Sequence, residues 1–213
     1  KILNKLTLQA KNDGAEVIIW PEAVSSYQNF QARTEFADID IIGGFFVQKD
    51  ENIFTSIINT STNDRYDKRN LVPFGEFQPF DNLLKNLNEF FNIPNSSLTR
   101  GEKSQKKVLI QQIPFSGLIC WELSFNDTFV DRTRDTGFII HISNDSWYGK
   151  NMPAQHLLHA KARAIESQKW VVRSTTDGIS DIISPYNQKK LSENIPKGIK
   201  SFKTETISTL SLI

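Results

Sequence analysis

The chain has 213 residues, 38% of them apolar and 23% charged, enough for one compact domain with a sizeable core, which excludes fibrous, collagen-like and disordered classes. Twenty-five Lys and Arg against 24 Asp and Glu leave a formal charge of +1, so the bulk balance gives no electrostatic case for nucleic acid or a strongly anionic surface. The longest apolar runs, such as residues 41–47 and 138–140, fall far short of the roughly 20 residues that cross a bilayer.

Residues 1–13 place Ile2, Leu3, Leu6, Leu8 and Ala10 at helical spacing, and Asn12-Asp13-Gly14 stops that helix. Residues 15–20 (AEVIIW), apolar apart from Glu16 and rich in β-branched residues, predict a strand buried on both faces and ending at Pro21-Glu22. Residues 39–48 and 54–60 predict two more strands around the turn Lys49-Asp50-Glu51-Asn52, and a further run reaches Tyr66 and Lys68. The pattern breaks over residues 77–107, where Pro79, Pro94, Phe90-Phe91, Asn95-Ser96-Ser97 and the basic Lys103, Lys106 and Lys107 predict a long arm with one short helix near 82–91. Strands are expected at 107–112 and 116–121 (SGLICW), and again at 138–143 (FIIHIS). A helix follows at 153–169 with Leu157, Leu158, Ala162 and Ile165 on one stripe. Strands at 170–174, 180–184 and 201–208 close the chain. This order predicts an α/β layered sheet domain.

The chain's single cysteine, Cys120, has no partner for an intramolecular disulfide, and with three histidines a structural zinc site is not expected. Glu22 in WPE, Lys68 in YDKRNLVPFGE and Cys120 in ICWE all fall at the ends of predicted core strands. Ligands of open α/β sheets bind outside the carboxyl ends of strands, which is a physical reason to group the three. A cysteine that attacks carbonyl carbon needs a base, and its tetrahedral intermediate needs a positive donor beside the oxyanion. Each residue also has an ordinary reading: Cys120 as packing, Lys68 as a solvated turn charge, and Glu22 as a carboxylate at a helix N-terminus.

The order WPE, K-x-x-L-V-P-F-G-E, C-W-E resembles the Glu-Lys-Cys triad of the nitrilase, or carbon-nitrogen hydrolase, superfamily. VPFGEFQPF at 72–80, ISNDSWYG at 142–149 and RSTTDGIS at 173–180 resemble one branch of it, the bacterial apolipoprotein N-acyltransferases. The resemblance implies a four-layer α-β-β-α sandwich. It implies Glu22 as general base, Lys68 as oxyanion stabiliser with a backbone N–H just after Cys120, and Cys120 as nucleophile. Glu76 would orient or neutralise Lys68, and Trp121 and Glu122 flank the nucleophile; Trp121 stands where the family often has Tyr. The implied reaction takes an acyl chain from a membrane phospholipid onto the cysteine as a thioester. It then passes that chain to the N-terminal amine of a diacylglyceryl-cysteine apolipoprotein, with no metal or organic cofactor and no nucleic acid. Phe77, Trp147 and Tyr148 would line the acyl pocket. The apolar positions of the arm, from Phe77 to Phe91, either lie in the bilayer interface or pack on the body.

On this resemblance, residues 1–213 are a single nitrilase-like domain of a longer membrane protein, lacking its first strand and its transmembrane helices, on the periplasmic side of the bacterial inner membrane. Such a fragment is expected to have little or no activity alone. Two alternatives remain at this level: a nitrilase-type amidase hydrolysing a small C–N bond with water as acceptor, and a truncated pseudo-enzyme that binds lipoproteins. His141 is expected to be a hydrogen-bonded core histidine, His156 and His159 are not expected to hold a metal, and Arg163 and Glu166 are expected to form an ion pair.

Overall fold

The structure, a computed structural model, describes residues 2–31, 35–36, 39–73, 75–77, 98–147, 149 and 151–186, and the backbone of 199–203 and 208–212. The first sheet contains β1 (Val17–Ile19), β2 (Ser25–Ser26), β3 (Asp40–Lys49), β4 (Asn52–Asn59) and β5 (Arg65–Asp67). β1 and β2 both run parallel to β3, at successive stretches of its length, and β3, β4 and β5 follow one another antiparallel. The second sheet contains β6 (Val108–Ile110), β7 (Ile113–Ile119), β8 (Phe138–Asn144), β9 (Val171–Thr176) and β10 (Asp181–Ile183), in the order β10-β9-β8-β7-β6. Its three central strands are parallel and its edges antiparallel. Gln111 and Gln112, both at positive φ (46° and 72°), make the tight two-residue turn between β6 and β7, the backbone twist such hairpins need. A separate antiparallel pair joins β11 (Ile199–Lys203) to β12 (Ser208–Leu212).

Adjacent apolar residues along each strand point to opposite faces, and here they enter different cores. Ile42, Ile57, Ile119, Ile140, Val172 and Ile182 meet between the two sheets with Val17, Tyr66 and Phe115. Their neighbours Ile41 and Ile58 face outward from the first sheet, where they pack with Trp20, Phe30, Phe36 and Phe45 and with Leu3 and Ala10 of α1 (Ile2–Asn12). Leu118, Ile139, Val171 and Ile183 face outward from the second sheet against Phe129 of α2 (Asn126–Thr133) and Ala160 and Ala164 of α3 (Met152–Ser167). Three apolar layers separate helix, sheet, sheet and helix, so the architecture is the four-layer α-β-β-α sandwich. Continuous apolar runs are what a strand buried on both faces requires, and each fully buried isoleucine contributes about 1.5–3 kcal/mol.

Several expectations shift. Cys120 and Trp121 are not in a strand, because β7 stops at Ile119 and residues Cys120–Ser124 form a 3-10 turn. The stripe expected on the 153–169 helix holds at Leu157, which packs against the outer core, but not beyond it: Leu158 is 61% and Ile165 43% exposed, while the buried face is His156, Ala160 and Ala164. Small alanines let α3 lie close to the sheet, and a histidine with buried partners counts as core although its type scores as polar. Residues 201–208 are not one strand but parts of β11 and β12. β2, a short helix Tyr27–Gln31, and α2 were not predicted. The predicted arm helix at 82–91 lies outside the described residues. No helix among the described residues is long and apolar enough to cross a membrane.

Candidate active site

All three grouped residues sit just past the carboxyl ends of strands. Pro21 ends β1, since it has no N–H for the ladder, and its carbonyl instead accepts from Gly44 N (3.2 Å) while Val24 N donates to Gly44 O (3.1 Å). Only glycine fits at 44: a Cβ there would lie 2.5 Å from Pro21 O and 2.6 Å from Glu22 Cα. Trp20 anchors the same turn from behind, its indole N–H donating to Thr7 Oγ1 (3.0 Å) with Phe30 and Phe36 edge-on to its ring. Lys68 follows β5 immediately, its backbone N–H donating to Thr55 O (2.9 Å) and its carbonyl accepting from Gly101 N (2.8 Å). Cys120 follows β7 with φ +52°, a left-handed conformation that costs a non-glycine residue about 1–3 kcal/mol and persists only where its surroundings fix it.

The side chains converge. Lys68 Nζ donates to Glu22 Oε1 (2.8 Å) and to Glu76 Oε1 (2.5 Å). The second oxygen of each carboxylate takes a backbone N–H: Asn144 N to Glu22 Oε2 (2.9 Å) and Val72 N to Glu76 Oε2 (2.8 Å). Lys68 is fully buried, and Glu22 and Cys120 are 6% and 4% exposed. Burial disfavours the ammonium, but Glu22, Cys120 and Glu76 more than offset it and raise the Lys68 pKa. Burial first, then the negative charge of Glu22, push the Cys120 thiol up to about 12, against the opposing pull of Lys68. Cysteine is therefore a protonated thiol at neutral pH, and its activation requires a base at the moment of attack. The rate of Cys120 alkylation by iodoacetamide is accordingly expected to be still rising at pH 10; a plateau reached below pH 8 contradicts a resting thiol.

Glu122 works at one remove. It is fully buried, and its Oε1 accepts from Tyr66 Oη (2.8 Å), Arg69 N (2.7 Å) and Asn70 N (3.1 Å), while Oε2 accepts from Ile119 N (3.0 Å). One carboxylate thereby ties the Lys68 segment to the residue preceding Cys120. Burial raises its pKa, against the pull of those backbone donors. Trp121 stacks beside His159 and lies 6.1 Å from the His156 ring. Phe77 lies under the Arg100 guanidinium, 4.6 Å away. The side chain of Trp147 and all of Tyr148 lie outside the described residues. His141 is a buried, hydrogen-bonded histidine as expected, and Arg163 pairs with Glu166 (2.6 Å) while also donating to Leu123 O. Lys107 donates to the carbonyls of Asp131 and Arg132, and burial and the Arg132 charge lower its pKa to about 8. No group of three or more potential metal ligands occurs among the described residues.

Sequence reasoning missed Asn144, whose contribution is a main-chain N–H, and Gly44, whose contribution is the lack of a side chain. It also missed the partners of Asp145 and Arg173, which the motifs ISNDSWYG and RSTTDGIS contain without revealing what they touch.

The carbon-nitrogen hydrolase family model matches residues 37–189. The chain belongs to that family. Among relatives of this carbon-nitrogen hydrolase chain, the apolipoprotein N-acyltransferase of Vibrio vulnificus is 32% identical over 92% of the chain, and that of Pasteurella multocida 34% identical over 91%. The chain spans 43% and 41% of those proteins' lengths. An amidase from Nesterenkonia sp. superposes with a TM-score of 0.61 at 15% identity, covering 100% of this chain and 82% of that one. A glutamine-dependent NAD+ synthetase from Acinetobacter baumannii gives 0.58 at 18% identity, covering 84% and 35%. At such identities the two structures show the carbon-nitrogen hydrolase fold and nothing of substrate.

Proposed function

We propose that this chain is the catalytic domain of an apolipoprotein N-acyltransferase, one domain of a longer protein of the bacterial inner membrane, acting on the periplasmic side. The observation that carries the reading is the buried Glu22–Lys68–Glu76 chain of charge-assisted bonds around the single thiol. Relatives of that name over nine tenths of the chain support it.

In the proposed reaction Cys120 Sγ attacks the ester carbonyl of a phospholipid while its proton passes to Glu22. The oxyanion is stabilised by Lys68 Nζ and a backbone N–H following Cys120. Collapse breaks the C–O bond, and the departing alkoxide takes the proton from Glu22 to leave as a lysophospholipid. The N-terminal amine of a diacylglyceryl-cysteine apolipoprotein then attacks the thioester and gives a proton to Glu22; Glu22 returns it to the thiolate as the C–S bond breaks. Glu76 holds Lys68 in place, Trp121 and Glu122 shape the turn carrying the nucleophile, and Phe77, Trp147 and Tyr148 border the acyl chain. No cofactor enters the scheme.

The test is peptide mass mapping of the full-length gene product in detergent after incubation with phosphatidylethanolamine. A hydroxylamine-labile acyl group on the Cys120 peptide, discharged by a diacylglyceryl-cysteine peptide, is the expected result. Absence of that adduct, with ammonia released from small amides, replaces the transferase with an amidase.

A further inference from the structure

Behind Cys120 lies a closed polar cluster that the proposed reaction does not use. Asp145, His156, His141 and Arg173 are all buried and come from the turn after β8, from α3, from β8 and from β9, where Arg173 is in register with His141. Arg173 donates from one nitrogen to Asp145 Oδ2 (2.7 Å) and from another to His141 Nδ1 (2.6 Å). Asp145 Oδ1 accepts from the Ser143 hydroxyl (2.6 Å) and from His156 Nδ1 (2.9 Å). Both histidines then converge on one atom: His141 Nε2 lies 3.0 Å and His156 Nε2 3.1 Å from the carbonyl oxygen of Cys120.

The proton positions follow from the partners. A guanidinium only donates, so His141 Nδ1 is bare and its proton is on Nε2, directed at Cys120 O. Both nitrogens of His156 face acceptors, Asp145 Oδ1 on one side and Cys120 O on the other. Burial and the neighbouring Arg173 charge hold the His141 pKa well below the usual range, in keeping with a neutral ring. Burial opposes ionisation of Asp145, but its bonds from His156 and Ser143 and the Arg173 charge keep its pKa lowered.

Resting on Cys120 as the nucleophile, we infer that His156 and His141 are positioning residues that clamp the peptide between Cys120 and Trp121 through its carbonyl. That peptide is planar and trans, so its N–H points opposite its C=O. Fixing the oxygen from two directions holds Cys120 at its left-handed φ and aims the next N–H toward the face where the oxyanion forms. Asp145 and Arg173 hold the far side of the two rings, at His156 Nδ1 and His141 Nδ1.

Two replacements of His156 separate this role from simple packing. In His156→Gln the side-chain amide nitrogen takes the place of Nε2 and still donates to Cys120 O. In His156→Asn it takes the place of Nδ1 and still donates to Asp145. In the full-length protein, acylation of Cys120 by phosphatidylethanolamine is expected to stay within a few-fold of wild type for the Gln variant. It is expected to fall about a hundredfold for Asn and for Ala, as for an ångström-scale misplacement, with KM unchanged. Gly178→Ala, whose new methyl meets the Asp145 carboxylate, tests the clamp without replacing a histidine and is expected to slow acylation about tenfold or more. Asn at wild-type rate with Gln impaired, or all variants within a few-fold of wild type, overturns the inference. Iodoacetamide alkylation of Cys120, which needs no lipid, is expected to rank the variants in the same order. It therefore still reads the clamp if the wild type forms no acyl adduct and the transferase reading fails.

Discussion

The Cys120→Ala protein is expected to form no acyl adduct with phosphatidylethanolamine and to transfer at least about 10⁴-fold more slowly than wild type, the scale seen when a covalent nucleophile is removed. Its fold is expected to survive. Cys120 is 4% exposed and packs with Ile119, Ile140 and Ile142 as a small apolar side chain. Losing the sulfur leaves a cavity smaller than a leucine truncation and costs about 1 kcal/mol. Alanine carries the same left-handed φ as cysteine, so the turn gains no new strain. Single-turnover acylation and a thermal melt, measured on the same preparation, separate chemistry from folding. Transfer at the wild-type rate removes Cys120 from the reaction and with it the whole scheme.

Lys68→Met is expected to damage both stability and rate. Removing the ammonium leaves the carboxylates of Glu22 and Glu76 facing each other with no cation between them, and breaking a buried pair in this way costs about 3–5 kcal/mol. On the proposed mechanism, loss of the donor to the oxyanion adds a fall of about 10²–10³ in the acylation rate. The two effects part company in the double variant Lys68→Met/Glu76→Gln. Neutralising Glu76 relieves the repulsion, so the melting temperature is expected to recover toward wild type while the rate stays low. If rate and stability recover together, Lys68 has only a structural part.

The sheets and the grouping of Glu22, Lys68 and Cys120 were legible because they are written in local pattern. Residues 17–20, 117–119 and 138–140 are apolar without interruption, and that is the mark of strands covered on both sides. WPE and C-W-E place a charged or nucleophilic residue after such a run, whereas Lys68 follows the polar strand Arg65–Asp67 and was marked by its motif alone. What stayed hidden depends on distance in the chain and on backbone atoms. The bond from Asn144 N to Glu22 crosses 122 residues and that from His156 to Cys120 O crosses 36; neither uses a pairing that residue type announces. The helix 152–167 was misread for a related reason. Leu158 and Ile165 score as core by type, yet the surface nearest the sheet is set by the alanines that allow close approach. The end of β7 was misplaced because Cys120 and Trp121 continue an apolar run while the backbone has already turned.

Glu22 and Lys68 follow strands of one sheet, Cys120 follows a strand of the other and Asn144 ends one, and the bond from Asn144 to Glu22 is a stitch between the two. Sliding one sheet past the other by an ångström would leave every ladder hydrogen bond intact and still part the proton acceptor from the sulfur. In the proposed reaction, the reactivity of the thiol therefore depends on how the two sheets are aligned.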